Sequence, residues 1–351
     1  MTADGGEALI ADGGEHIAPC LEQAALVDEG IGVAVAEKNS MAELFYQRDV
    51  YGKTLVELGG KNPDIVVLDA DLSSSTRTGL FAKAFPERFF NMGVAEQNLM
   101  GVAAGLAVSG KTVFASTFAI FATGRAWDQV RNGICYNHLN VKIVATHAGL
   151  TVGPDGASHQ ALEDLALVRV IPGINVVVPC DGPQTKAAVL AAAETPGPFY
   201  IRLGRAKVPT IEGTEDFRLG KAQVLREGGD VAIIACGMMV GNALKAAEKL
   251  AGKGVRARVI NMHTLRPFDA DAVKEAAGTV RGIVVCEEHS IVGGLCSAVA
   301  ETLQEEGYCG RVAAVAIKER FGQSGDPDEL IKSYKLTAED VERAALESIR
   351  G

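Results

Sequence analysis

Positive charge is scarce in this sequence. Its 34 Lys and Arg stand against 44 Asp and Glu, a formal net charge of −10 over 351 residues. Nucleic acid and anionic membrane surfaces both want a basic face, so neither is expected as a partner. No basic residue precedes Lys38, so the basic start of a signal peptide is missing and no targeting segment is read. Unbroken apolar runs are also lacking. The most apolar stretch, Asn98 to Gly124, is interrupted by Lys111 and by small polar residues. It reads as a buried helix followed by a buried strand rather than a membrane span. The seven cysteines, at 20, 135, 180, 236, 286, 296 and 309, form no C-x-x-C and are odd in number. That argues against structural zinc and a disulfide framework, and for free thiols in a reducing cytoplasm.

What is present is an apolar chain, 48% hydrophobic, long enough for two domains. Residues 1–40 are acidic and Gly/Ala-rich, with "ADGGE" at 3–7 and again at 11–15, and read as a loosely ordered N-terminal extension. Over 41–215, short β-branched runs ("DIVVLDA", "KTVFAST", "VKIVATH", "NVVVPC", "FYIRL") alternate with helical stretches such as "YGKTLVELGG" and "PQTKAAVLAAAET". Continuous apolar strands separated by helices imply a parallel sheet covered on both faces. A hinge-like stretch, "GRAKVPTIEGTEDFRLGKA", follows. The alternation then restarts with "DVAIIACG", "ARVINM", "GIVVCEE" and "VAAVAI", which marks a second, smaller domain over 221–351. The fold class is therefore α/β, with two doubly wound domains.

Ligands of open parallel sheets bind at the carboxyl ends of the strands. "VKIVATH" ends at His147, "FYIRLGR" at Arg205, and "VVLDADLSSS" in an acid followed by hydroxyls. Four groups near these ends could carry chemistry. Glu96 opens an otherwise apolar helix. On spacing alone it is a first-turn glutamate favoured by the helix dipole, and the functional alternative is a buried carboxylate exchanging a proton with a bound heterocycle. Phe118, Phe121 and Trp127 are dense for a chain with 5% aromatics. They pack a strand-to-helix corner or form a wall for a flat ring. In "ATHAGLTVGPDGASHQ", His147 and His159 flank Asp155. A metal site is the weaker reading, since no Cys or second carboxylate has ligand spacing nearby. The pair could exchange protons near neutral pH or simply cap turns. Arg48, Arg202, Arg205 and Lys207, with the hydroxyls of Ser73 to Ser75, could bind an anion such as a sugar phosphate.

Taken together and in this order, the blocks resemble the C-terminal half of a transketolase over residues 45–351. "GVAEQN" resembles the block with the family's glutamate, and "STFAIFATGRAWDQVRN" its aromatic segment. "ATHAGLTVGPDGASHQALED" resembles its two-histidine loop, "YIRLGR" its arginine strand, "DADLSSS" its "SADLTPS" block and "QRDVYGKTLVEL" its arginine helix. The resemblance implies a thiamine-diphosphate pyrimidine-binding domain followed by a transketolase C-terminal domain. It makes Glu96, His147 and His159 catalytic, with Glu96 bonded to N1′ of the aminopyrimidine. It assigns Phe118, Phe121, Asp71 and His159 with Glu96 to the cofactor, and His147, Asp155, Arg48, Arg205 and Ser75 to the substrate. Two departures stand out: a third aromatic of many members falls at Gly124, and "YQR" replaces "ATR" at Arg48.

The family holds the cofactor's diphosphate and Mg²⁺ through a "GDG…N" motif, and this sequence has no GDG. A diphosphate with no metal and no Gly-rich cradle is poorly neutralised. The resemblance therefore implies a split transferase of transketolase type. It would act on sugar phosphates, with a partner chain carrying the GDG motif and Mg²⁺, and two of each chain would assemble as α2β2. Alternatives are a 1-deoxyxylulose-5-phosphate synthase-like subunit, a 2-oxo-acid dehydrogenase beta-like subunit, and a non-catalytic scaffold. His263 and His289 are expected to be structural or at a subunit contact.

Overall fold

The computed structural model describes residues 44–350, so the extension read over 1–40 lies outside the described residues. In chain order the strands are β1 (Leu44–Tyr46), β2 (Ile65–Asp69), β3 (Phe89–Asn91), β4 (Thr112–Phe118) and β5 (Val141–Ala148), then β6 (Asn175–Val177), β7 (Phe199–Gly204) and β8 (Lys207–Pro209). The later ones are β9 (Gln223–Arg226), β10 (Val231–Ala235), β11 (Ala257–Asn261), β12 (Thr264–Arg266), β13 (Gly282–Ser290) and β14 (Arg311–Ile317). They build a seven-stranded sheet in the order β12-β6-β7-β5-β4-β2-β3 and a five-stranded sheet in the order β14-β13-β10-β11-β9. Strands β1 and β8 form a separate antiparallel pair. Each large sheet is parallel except for one antiparallel edge, β12 on β6 and β9 on β11. The apolar runs read from the sequence are these parallel strands, and the fold is the expected pair of doubly wound α/β sheets.

Strand periodicity explains the layering. Ile65 and Val67 point to one face of the first sheet, Val66 and Leu68 to the other. The Ile65 face packs under helices Gln47–Lys61 and Gly182–Glu194 through Tyr51, Leu55, Val189 and Ala192. The opposite face is covered by helix Glu96–Val108, with Leu99, Met100 and Ala103 fully buried. That second core does not stop at the first sheet. It runs on into Ile234, Ile260, Ile283 and Val285 of the second, so one apolar cluster serves both.

Two features tie the two sheets together. Strand β12 comes from the later half of the chain yet completes the edge of the first sheet. The stretch read as a hinge is also pinned. Asp181, the N-cap of helix Gly182–Glu194, accepts from Gln184 N at 2.9 Å, Ile211 N at 2.8 Å and Thr214 Oγ1 at 2.7 Å. A buried carboxylate satisfied by donors from the connector fixes the path of that connector.

Candidate active site

Strands β7, β5, β4 and β2 lie side by side and parallel, so their carboxyl ends open on one edge. β4 ends in Phe118 and β5 carries His147 near its end, beside it in the sheet. Their rings stack with centroids 3.9 Å apart. Phe121 lies one turn past β4 and stacks on Phe118 at 5.9 Å, and His159 meets the Phe121 ring edge-on at 5.3 Å. The sheet thus brings Phe118, Phe121, His147 and His159 together.

Glu96 is the first residue of its helix and only 4% exposed. Its Oε1 accepts from Nη1 of Arg125 at 3.3 Å, and the Arg125 guanidinium lies over Phe121 at 4.2 Å. Arg125 is the partner that sequence reasoning missed. No sequence signal marked it, because Phe121–Arg125 is a π-helical turn that no simple apolar period announces. At Gly124, no described residue lies within 4 Å of where a Cβ would stand, so among the described residues the aromatic wall is open there.

His147 sits in the left-handed region at φ 58, which is costly for a non-glycine residue and concentrates at functional sites. It is 3% exposed. Arg48 Nη1 approaches its Nε2 at 3.4 Å, and Thr146 Oγ1 lies 2.9 Å from its Nδ1. A guanidinium can only donate, so Nε2 accepts and Nδ1–H donates to Thr146. Burial first, then Arg48, Arg205 and His159, push the imidazole down to about 3. It is therefore neutral at physiological pH, and the expected proton exchange near neutrality does not hold for His147.

The anion-binding group is smaller than expected. Arg48 is half-buried, with its Nη1 on the Ser75 carbonyl at 3.3 Å and its Nε buried without a hydrogen-bond partner. Ser75 thus meets Arg48 through backbone rather than hydroxyl. Arg205 faces Asp155 at 3.9 Å and donates to the Val152 carbonyl. Arg202 is not available to a ligand: it is buried in a bidentate pair with Asp164, at 2.7 and 3.1 Å. Lys207 lies over the Tyr46 ring instead. Trp127 leaves the aromatic wall for the core, donating to the Leu167 carbonyl at 2.8 Å. Asp71, also at positive φ, is exposed beyond β2 and accepts from the Asn91 amide at 2.9 Å. His263 and His289 are fully buried, His263 bonded to Thr264 and His289 packed against Asp164 and Glu287.

These residues fit the aminopyrimidine half of thiamine diphosphate. A nearly buried carboxylate is joined to stacked phenyl rings through Arg125, which is 54% exposed. No GDG motif for the diphosphate accompanies them in the sequence. Among the described residues, no group of three His, Cys, Asp or Glu could hold a metal ion. Also among these residues, no helix is long and apolar enough to cross a membrane.

Comparison with known proteins agrees with this geometry. Residues 46–210 match the family description "Transketolase, pyrimidine binding domain" and residues 220–341 match "Transketolase, C-terminal domain". A putative transketolase C-terminal section from Methanocaldococcus jannaschii is 48% identical, covering 86% of this chain and 96% of that protein. A 6-deoxy-6-sulfo-D-fructose transketolase subunit from a Clostridium species is 43% identical over 87% of this chain and 95% of its own length. A solved split-gene transketolase, described as an inactive beta4 tetramer, superposes with a TM-score of 0.80 at 55% identity, covering 86% of this chain and 98% of that one. This chain accordingly belongs to the transketolase family, as a protein of its pyrimidine-binding and C-terminal domains.

Proposed function

We propose that this chain is one subunit of a split transketolase, moving a two-carbon ketol unit between sugar phosphates and active only beside a partner chain. The observation that carries the reading is the Glu96 carboxylate, 4% exposed, joined through Arg125 to Phe121, whose ring is stacked on Phe118. Bound thiamine diphosphate supplies an electron sink for the transferred unit. Glu96 would share a proton with the pyrimidine ring nitrogen, its carboxyl donating to the bare nitrogen or its carboxylate accepting once that nitrogen is protonated, and Phe118 and Phe121 would hold the ring plane. His159 lies beside both rings and would be a polar neighbour for the pyrimidine's amino substituent. Asp71 is assigned to the cofactor side on its place beyond β2. Neutral His147 and the Asp155 carboxylate serve substrate hydroxyls. Arg48 and Arg205 neutralise the substrate phosphate, with the Ser75 segment fixing Arg48.

The partner, in this reading, carries the GDG motif and the Mg²⁺ that neutralise the diphosphate, and two of each chain assemble as α2β2. Support comes from the absence of GDG here and from the subunit and split-gene descriptions of the relatives. The five buried free thiols among the described residues accord with work in a reducing cytoplasm. Pentose phosphate interconversion fits the two arginines, although the Clostridium relative is named for a sulfonated sugar.

The test is ketol transfer from a phosphorylated ketose, measured with cofactor and Mg²⁺ for the chain alone and then with a GDG-bearing partner. Turnover is expected only with the partner. Glu96→Gln is expected to leave assembly intact and lower kcat by about 10²-fold or more. Robust turnover by the chain alone refutes the split, and unchanged turnover in Glu96→Gln favours a scaffold.

A further inference from the structure

The turn that bears Asp155 runs over Leu150–Asp155, just past β5, and its backbone is not held by its own sheet alone. The Thr151 amide donates to Oε1 of Glu288 at 2.7 Å. Glu288 belongs to β13, in the five-stranded sheet, and is 4% exposed. The two segments approach so closely that a Cβ at Gly149 would stand 2.3 Å from the Glu288 carboxyl carbon, and Gly149 is at φ 82. Only glycine meets both demands. Glu288 is itself fixed, because its carbonyl accepts from Arg202 Nη2 at 3.1 Å and Arg202 is locked to Asp164. A second tie comes from Gln160. Its Nε2 donates to the Leu150 carbonyl at 3.1 Å within the turn and to the Gln323 carbonyl at 2.9 Å beyond β14.

We infer that the carboxyl-terminal domain acts as a brace for the substrate side of the site, with Glu288 as the positioning residue that fixes the Asp155 turn. Glu288 touches no reacting atom. It sets where Val152 and Asp155 stand, and these are the two groups that meet Arg205. A backbone amide that donates to a buried carboxylate is held more firmly than one that donates to water, because loss of the bond strands a buried polar group. The consequence for substrate rests on the proposed reading of Asp155 and Arg205 as sugar-phosphate contacts. The brace itself does not.

Two measurements separate these levels. Amide hydrogen exchange over residues 149–156 is compared in the full chain for wild type, Glu288→Ala and Glu288→Gln. Glu288→Ala is expected to speed exchange in the turn by about tenfold, the loss of one buried hydrogen bond, while β4 and β10 keep their protection. Glu288→Gln retains an acceptor oxygen and should restore most of the protection. With the partner present, Glu288→Ala should raise KM for the sugar phosphate about fivefold or more and leave kcat within about twofold. Unchanged exchange in a folded Glu288→Ala overturns the brace, and faster exchange with an unchanged KM overturns its role in substrate binding. Should Glu288→Ala not fold, Gln160→Met removes the second tie at similar volume and is read in the same way. Absence of turnover in the wild-type assembly would count against the functional reading, while exchange in the chain by itself still decides the brace.

Discussion

His147 shows how far a side chain's surroundings can override its intrinsic chemistry. An imidazole in water changes charge at about pH 6.5. Burial here removes the solvent that would stabilise the cation, and the Arg48 and Arg205 guanidiniums repel it, so the group is pushed down to about 3. An NMR titration of His147 should therefore show no midpoint between pH 5 and 8. Arg48→Met, which removes one repelling charge, should move the midpoint upward. The linkage has a definite sign. As pH falls from 6.5 towards 3 the unfolded chain takes up a proton that the folded chain refuses, so this residue makes the protein lose stability across that window. A midpoint near 6.5 in the native protein would remove the argument for a neutral acceptor. The sequence singled out this position through its spacing to Asp155 and His159. It could not show burial or the two guanidiniums, which arrive from helix Gln47–Lys61 and from the end of β7, and so it left the imidazole able to titrate.

At the level of elements, Asp181 does more than cap a helix. Its carboxylate accepts from the helix's own Gln184 N, and it also takes Ile211 N and Thr214 Oγ1 from the connector between the two sheets. An N-cap alone is worth about 1 kcal/mol, and two further buried donors left without an acceptor cost about 1–3 kcal/mol each. Asp181→Ala should therefore destabilise the chain by roughly 3 kcal/mol or more in urea unfolding, whereas a free hinge would lose only the cap. The elements differed in how legible they were. Long β-branched runs such as "VKIVATH" become parallel strands because both faces are buried and nothing interrupts them. Of the five three-residue strands, β6 was read because it lies in the β-branched run "NVVVPC", while β1, β3, β8 and β12 were missed because no period can establish itself over so few residues. The connector read as a hinge because Gly, Thr and Pro mark loops locally, and its tie to Asp181 spans 30 residues of sequence. The π-helical turns Phe121–Arg125 and Gln129–Cys135 were likewise invisible. The first of them places Arg125 over Phe121 and so hid a partner of Glu96.

Across the whole molecule the two sheets share what would keep either one folded. The central apolar cluster includes Leu99 and Ile143 from the first sheet with Ile234 and Ile283 from the second. Strand β12 lends Thr264 and Arg266 to the edge of the first sheet, against Val177 and Val176, and the Val178 amide donates to the His263 carbonyl at 2.7 Å. Charge is shared as well: buried Arg202 of β7 is paired with Asp164 and also donates to the Glu288 carbonyl. A chain ending at Gly220 would keep its pyrimidine-side residues while uncovering this apolar face, freeing the β6 edge and leaving a buried guanidinium with one acceptor fewer. Each loss is of the order of 1–3 kcal/mol, and apolar exposure adds about 25 cal/mol per Å², against a total stability of about 5–15 kcal/mol. The truncated chain should accordingly show no cooperative urea transition when followed by its single tryptophan, Trp127, which sits within the first sheet's layer and donates to Leu167. A sharp transition with an unchanged midpoint would mean that the halves are independent and that the β12 exchange is incidental. The expected loss would instead explain why two sequence alternations, each complete enough to be read as a domain, are joined in one chain: the second supplies an edge, a core wall and a counter-charge that the first does not make for itself.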